Sequence, residues 1–226
     1  MLIRELHLLS DDLEGTEKFY HQTLGLSLLH KTDDLLTFSA GQTTLSFHRS
    51  HDEKPQYHFA FNIPCNQIYE GLKWMQGKAS LLEITPNEPI ADFKNWHAKA
   101  FYFLDNNESI LEFIARDDLH NERDEAFGPN AVLSVSEIGI VGDDAEEQSK
   151  YLIDRYGLDY FSKQPPLPRF AALGDDEGLF IVVPYGREWY PTDILSSKHW
   201  VAVHLNIDNK EEVFEMHTSP SITKSA

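Results

Sequence analysis

Residues 2–29 read LIRELHLLSDDLEGTEKFYHQTLGLSLL, and residues 135–161 answer them with VSEIGIVGDDAEEQSKYLIDRYGLDYF. Each stretch runs from a short alternating apolar strand through an Asp pair and a helix to a turn, Leu-Gly-Leu in the first and Tyr-Gly-Leu in the second. Ile3, Glu5, His7 and Leu9 share one face of the first strand, with Leu2, Leu6 and Leu8 on or near the other. Asp11 or Asp12 can cap the helix, along which Leu13, Phe19 and Tyr20 are apolar. Gly25 then offers the left-handed C-terminal position, and Leu26 re-enters the core. Strand-like runs at 26–29, 35–38 and 44–48 complete a βαβββ unit.

Repetition of such a unit decides the architecture, and further copies follow. A diverged second copy starts at Tyr57 with YHFAFNI, is closed by Pro64, and continues with a helix over 67–76 and strands over 81–84, 100–104 and 110–114. The third copy spans 135–183. A fourth is only begun, with WVAVHLNI as a strand and Lys210–Met216 as a helix, before a polar tail, SPSITKSA. The polar run 117–130, ending in Gly-Pro-Asn, marks a boundary. The predicted organisation is therefore a two-unit domain at 1–118, a linker at 119–130, and a structural or interface region at 131–226. KQPPLP at 163–168 is a stiff loop, and the segment 185–197, with Arg187, Trp189, Tyr190 and Pro191, is a lid or an interface loop.

Composition narrows the function from the other side. The 226 residues carry 19 Lys and Arg against 37 Asp and Glu, a net charge of −18. Residues 1–118 hold 10 basic against 18 acidic side chains, and the remainder 9 against 19, so neither half offers a positive face to phosphates. Nucleic acid and anionic membranes are excluded as partners on this ground. Cys65 is the single cysteine, which forbids an internal disulfide and fits a reducing, cytoplasmic setting. It follows Pro64 at a helix start and reads as a small packed residue. The first 13 residues have charges within the apolar stretch and no small-residue cleavage site, unlike a signal peptide. No run approaches the roughly 18 apolar residues that span a bilayer.

The repeated units, with HLLSDDLEGTEKFYHQTLGL, YHFAFNIP and AFYFLDNNESILEFI, resemble the vicinal oxygen chelate superfamily. That superfamily includes glyoxalase I, fosfomycin-resistance thiol transferases, bleomycin-binding proteins and type I extradiol dioxygenases. The resemblance covers 1–116 and, less closely, 131–183. It implies an α+β fold in which paired βαβββ units make curved half-barrel sheets with helices outside. It also implies a divalent metal held by inward side chains of the first and last strands of each unit. His7, His58 and Glu112 fall on such positions, while Ser46 stands where a fourth ligand, a Glu, is usual. Gly139 stands where His7 does, so the third unit reads as structural.

Two imidazoles and one carboxylate with open positions form the facial triad that suits Fe(II), with Mn(II), Zn(II) or Ni(II) as alternatives. The implied function is a mononuclear metalloenzyme acting on a small substrate with vicinal oxygens, the specific expectation being an extradiol ring-cleaving dioxygenase. A glyoxalase-like isomerase or thiol transferase is the alternative, and Ser46 weakens it, since a site with an extra Glu would look more like glyoxalase I. A non-catalytic protein that sequesters a drug-like molecule is the third reading. HAKAFYFLDNNESILE resembles the extradiol signature, which makes Tyr102 and His97 candidate catalytic residues. His48, two residues beyond Ser46 on the same strand face, is a candidate ligand or base. The incomplete fourth unit leaves sheet edges that a second copy could cover, so a homodimer is expected.

Overall fold

Asp12 and Asp144 are the members of the two Asp pairs that cap helices. Asp12 accepts from the amide of Gly15 ahead of helix α1 (Leu13–Glu17), and Asp144 from those of Glu146 and Glu147 ahead of α3 (Ala145–Tyr156). Gly157 ends α3 in the left-handed conformation, φ 67°. The first helix winds on from α1 as a π-helical turn, Lys18–Thr23, that buries Phe19 and Tyr20. The computed structural model describes residues 1–217, so the polar tail at 219–226 lies outside the described residues.

The first unit comprises β1 (Leu2–Ser10), α1, β2 (Ser27–Lys31), β3 (Leu35–Ala40) and β4 (Thr43–Arg49). The second comprises β5 (His58–Ile63), α2 (Ile68–Met75), β6 (Ser80–Leu82), β7 (Ile90–Phe93), β8 (Ala98–Leu104) and β9 (Ile110–Arg116). The third has β10 (Ser134–Gly142), α3, β11 (Ala171–Asp175) and β12 (Gly178–Pro184), and the fourth, among the described residues, β13 (Val201–Ile207) and β14 (Lys210–Met216). Lys210–Met216 is thus a strand rather than the expected helix. Asp208 and Asn209, with φ of 50° and 63°, form a two-residue turn that closes an antiparallel hairpin between Ile207 and Lys210.

These elements make two mixed sheets in an α+β fold of βαβββ-like units. One sheet runs β14-β13-β1-β4-β3-β2 and the other β11-β12-β10-β5-β9-β8-β6, with β7 added on β8. The first unit therefore shares a sheet with the begun fourth unit, and the second with the third. Units one and two, expected to pair as a domain at 1–118, lie in different sheets.

The main core is continuous across both sheets, from Leu6, Leu8 and Phe47 to Phe59, Phe61, Phe113 and Phe180. A second apolar cluster, with Ala60, Tyr102, Ile114, Ile181 and Trp189, covers the opposite face of the second sheet. This explains why β5, HFAFNI, and β9, ILEFIAR, are buried at every residue. A bulge breaks the period of β1 between Ile3 and Glu5, so Ile3 joins buried Leu6 and Leu8 instead of sharing the face of Glu5. The same break recurs in β10 between Val135 and Glu137. Glu5 and Glu137 thus occupy equivalent places in the first and third units, each just after a bulge.

Candidate metal centre

Three ligand-bearing side chains meet on the second sheet: His58 of β5, Glu112 of β9 and Glu137 of β10, their ligand atoms all within 4.8 Å of one another. Backbone register brings them together. Glu112 lies beside Ala60 in the parallel β5–β9 ladder, and Glu137 faces Ala60 across the antiparallel β5–β10 ladder. A small residue thus separates the two carboxylates on the face that also holds His58.

The imidazole is fixed in one tautomer. His58 Nδ1–H donates to the carbonyl of Ile110 at 3.1 Å, which leaves the lone pair on Nε2. Nε2 points at Glu112 Oε2 from 3.9 Å, too far for a hydrogen bond but within twice a typical metal–ligand bond of about 2.1 Å. Burial drives the His58 pKa down to about 4, Arg187 adding to the shift and the Ile110 hydrogen bond opposing it. Burial also holds Glu112 well above the usual carboxylate range, and the nearby Glu137 charge pushes it further. Arg116 lowers both carboxyls but does not overcome the burial of Glu137, which also stays raised. A neutral imidazole facing two desolvated carboxylates is a donor set that a divalent cation fits. The anchoring of the other ring nitrogen on a carbonyl is the outer contact that orients a ligating histidine.

A cavity of about 180 Å³ opens beside these residues, lined by Phe93, Trp96, Tyr102, Arg187, Trp189 and Tyr190 among others. The segment 185–197 is its roof. The Trp189 ring lies 4.9 Å from that of His58, and Tyr190 meets Tyr102 edge-on at 5.7 Å. Gly139 leaves the space that Trp189 fills, since a Cβ there would stand 2.6 Å from its ring. Beneath the carboxylates Arg116 has no exposed surface. It is ion-paired to Glu137 and lies 3.6 Å from Asp176. Arg187 donates to the carbonyl of Glu188 and has no ion pair among the described residues.

Of the six residues singled out by sequence, His58, Glu112 and Tyr102 come together here, Tyr102 directly opposite Glu112 in the β8–β9 ladder. His7 does not. It lies on the first sheet, where its Nδ1 meets His48 Nε2 at 3.1 Å and its Nε2 meets Glu5 Oε2 at 3.1 Å. His48 accordingly belongs with His7 and does not line this cavity. His97 is exposed, in the left-handed region at φ 48°, and pairs with Asp118 at 3.0 Å. Cys65 is only part-exposed, and burial with the charges of Glu122 and Asp117 raises its thiol, so it is no activated thiolate.

Glu137 is the residue that sequence reasoning misses, because Gly139, two residues further on, is the one that answers His7 in the repeat. The third unit, read as structural, contributes a carboxylate to the centre. The signal was in the repeat itself: Glu5 and Glu137 stand at the same distance before their Asp pairs.

No family model matches the sequence, and no curated protein matches it significantly. Solved structures do match in fold. A putative dioxygenase from Bacillus subtilis subsp. subtilis str. 168 has a TM-score of 0.57 at 16% identity, over 81% of this chain and 63% of its own. The V278E mutant of Zea mays glyoxalase I gives 0.56 at 16% identity, over 86% of this chain and 70% of that protein. Glyoxalase I from Zea mays itself gives 0.54 at 16% identity, over 81% and 66%. This chain therefore spans less than two thirds of the Bacillus protein. It shares the fold of these putative dioxygenase and glyoxalase I structures over most of its length. Among the described residues no helix is long and apolar enough to cross a membrane.

Proposed function

We propose that the protein is a mononuclear metal-dependent enzyme acting on a small substrate with two adjacent oxygens, and that its reaction is a proton-transfer isomerisation of the glyoxalase kind. His58, Glu112 and Glu137 would hold the ion. The observation that carries this reading is the His58 imidazole, locked by Ile110 so that its free nitrogen faces two buried carboxylates. One imidazole with two carboxylates departs from the two-histidine triad that pointed to Fe(II), and supplies, from the third unit, the extra Glu that Ser46 had withheld. Mn(II), Fe(II), Zn(II) and Ni(II) all accept such a set.

A bound ion would act as a Lewis acid on the substrate oxygens. The chain's own residues do the rest. The Tyr102 phenol stands where it can donate to one oxygen of a bound substrate. Glu112, the carboxyl that burial raises well above its ordinary range, would leave the ion to take the substrate proton and return it. Arg187, without an ion pair among the described residues, offers a cation to an anionic substituent, and Trp189 and Tyr190 wall the cavity.

Ring-cleaving oxygenation is the second reading. It is favoured by Tyr102 facing Glu112 and by aromatic walls that fit a flat ring. Metal analysis of protein prepared without air, beside His58→Ala and Glu112→Gln, tests the centre. Near-stoichiometric metal in the parent, lost in both variants, is expected. Hemithioacetal isomerisation without oxygen uptake then supports the first reading, and catechol-dependent oxygen uptake the second. Absence of metal after reconstitution overturns both and leaves the non-catalytic binding protein.

A cytoplasmic setting accompanies this reading, supported by the single cysteine. A homodimer does too, because β14 ends its sheet with an outer edge unpaired among the described residues. Light scattering on the purified protein tests the dimer.

A further inference from the structure

The first sheet carries its own convergence of ligating groups, away from the cavity. Glu5 and His7 of β1 and His204 of β13 place a ligand atom each within 4.8 Å of the others, and all three are part-exposed. One ladder and one strand face assemble them: Glu5 faces His204 across the antiparallel β1–β13 pair, and His7 stands two residues along β1 from Glu5. Glu5 Oε2 stands between the two imidazoles, 3.1 Å from His7 Nε2 and 3.5 Å from His204 Nδ1. Behind them His48, packed edge-on against Trp200 at 5.2 Å, meets His7 Nδ1 at 3.1 Å.

The proton inventory of this cluster is telling. A single hydrogen serves the His7–His48 contact. If His7 Nδ1–H is the donor, His7 Nε2 carries a lone pair and faces a carboxylate oxygen at hydrogen-bond distance. Two acceptors in contact need a cation between them, either a second proton that makes His7 an imidazolium paired with Glu5 or a metal ion shared with His204. If His48 is the donor, the proton on His7 Nε2 makes an ordinary hydrogen bond to Glu5 and the cluster needs no ion. The first arrangement repeats what holds on the other sheet, where an anchored imidazole also presents its free nitrogen to carboxylates. The β1 bulge between Ile3 and Glu5, matched by that of β10, turns a Glu toward a His in both sheets.

We infer that Glu5, His7 and His204 form a second metal site, independent of the first, that takes a first-row divalent cation such as Fe(II), Zn(II), Ni(II) or Cu(II). The donor set differs from that on the other sheet. Two imidazoles and one carboxylate are richer in nitrogen, and nitrogen ligands suit those ions better than Mg(II), Ca(II) or Mn(II). The surroundings differ too. All three residues are part-exposed, and among the described residues no segment roofs them as 185–197 does the other centre. The ion ties the terminal hairpin, through β13, to the first strand of the chain, so it stabilises the pairing of the first and fourth units.

The test is a titration of metal-stripped full-length protein with ZnCl2, followed by calorimetry and by Co(II) absorption. The expected result is two equivalents for the parent. His204→Ala and the milder Glu5→Gln should each leave one tight equivalent and weaken the other at least tenfold, with circular dichroism confirming that both variants fold. His58→Ala should also leave one, and His58→Ala with His204→Ala none. Zn(II) should raise the melting temperature of His58→Ala but not of the double variant. A parent that binds one equivalent, unaffected by His204→Ala and Glu5→Gln, overturns the proposal and leaves a hydrogen-bonded cluster. So does a parent that binds none. One equivalent that survives His58→Ala and is lost in His204→Ala upholds this site while sinking the centre on the other sheet.

Discussion

Arg116 is the largest side chain among the described residues without exposed surface, and its charge is balanced by Glu137 and Asp176. Removing one partner of such a pair leaves the other charge buried and uncompensated, which costs about 3–5 kcal/mol. Arg116→Met should therefore destabilise the protein by that order in urea unfolding. Arg116→Met with Glu137→Gln should recover a large part of the loss, whereas additive losses would show that the ion pair is not the origin. A second buried carboxyl makes a pH-dependent prediction. Asp105 accepts from Tyr20 at 2.7 Å and from the amides of Asn107 and Ser109, yet burial raises its pKa to about 6. A carboxyl with a folded pKa above its unfolded value binds its proton more tightly in the folded state. Its contribution is full below about pH 4 and lost as pH rises through 6, amounting to about 3 kcal/mol. The buried histidines His48 and His58, lowered to about 4, act in the opposite sense, so the difference between variants is the informative quantity. Asp105→Asn should gain on the parent by that amount between pH 4 and 7. A constant difference across the range would refute the shift.

At the scale of single elements, Gly139 and Trp189 work as a pair. A methyl group at 139 would press on the Trp189 ring from 2.6 Å and on the His58 carbonyl from 3.2 Å, inside a buried contact. Gly139→Ala should cost about 1–3 kcal/mol through overpacking and lift the roof, read as a red shift of tryptophan emission. Unchanged emission and stability would mean that the roof is not seated on this glycine. The β13–β14 hairpin offers the converse case. Its turn holds Asp208 and Asn209 in the left-handed region, where glycine carries no Cβ penalty. Asn209→Gly should stabilise the protein by about 0.5–1 kcal/mol in chemical denaturation. The same hairpin shows why part of the sequence misled. KEEVFEM carries a good helix-forming composition, and only its tight turn and the edge of β13 make it a strand. The capped helices and most strands of the first three units were legible because each rests on local signals: Asp caps, Gly stops and alternation.

The pairing of units is a whole-molecule property, and local signals do not carry it. His58, Glu112 and Tyr102 could be picked out because they sit within one unit. Glu137 and the separation of His7 could not, because both depend on which sheet edges meet: β5 with β10, and β1 with β13. A strand with His at its centre reads the same whether its neighbour comes from the next unit or from the chain's far end. This topology bears directly on the domain at 1–118 expected from the polar linker. A fragment of residues 1–118 would lose β10 beside β5 and β13 beside β1, exposing two long apolar strand edges at once. It would also lose Glu137, one of the three proposed ligands, and the Trp189 roof. We expect that fragment to be insoluble or to lack cooperative unfolding, and to bind no metal tightly. Co-expression with residues 119–226 should restore both, because the missing strands return in trans. A soluble, cooperatively folding 1–118 that retains a metal equivalent would instead show that the first two units can pair with each other. The sheet order seen here would then be one of two arrangements open to the chain.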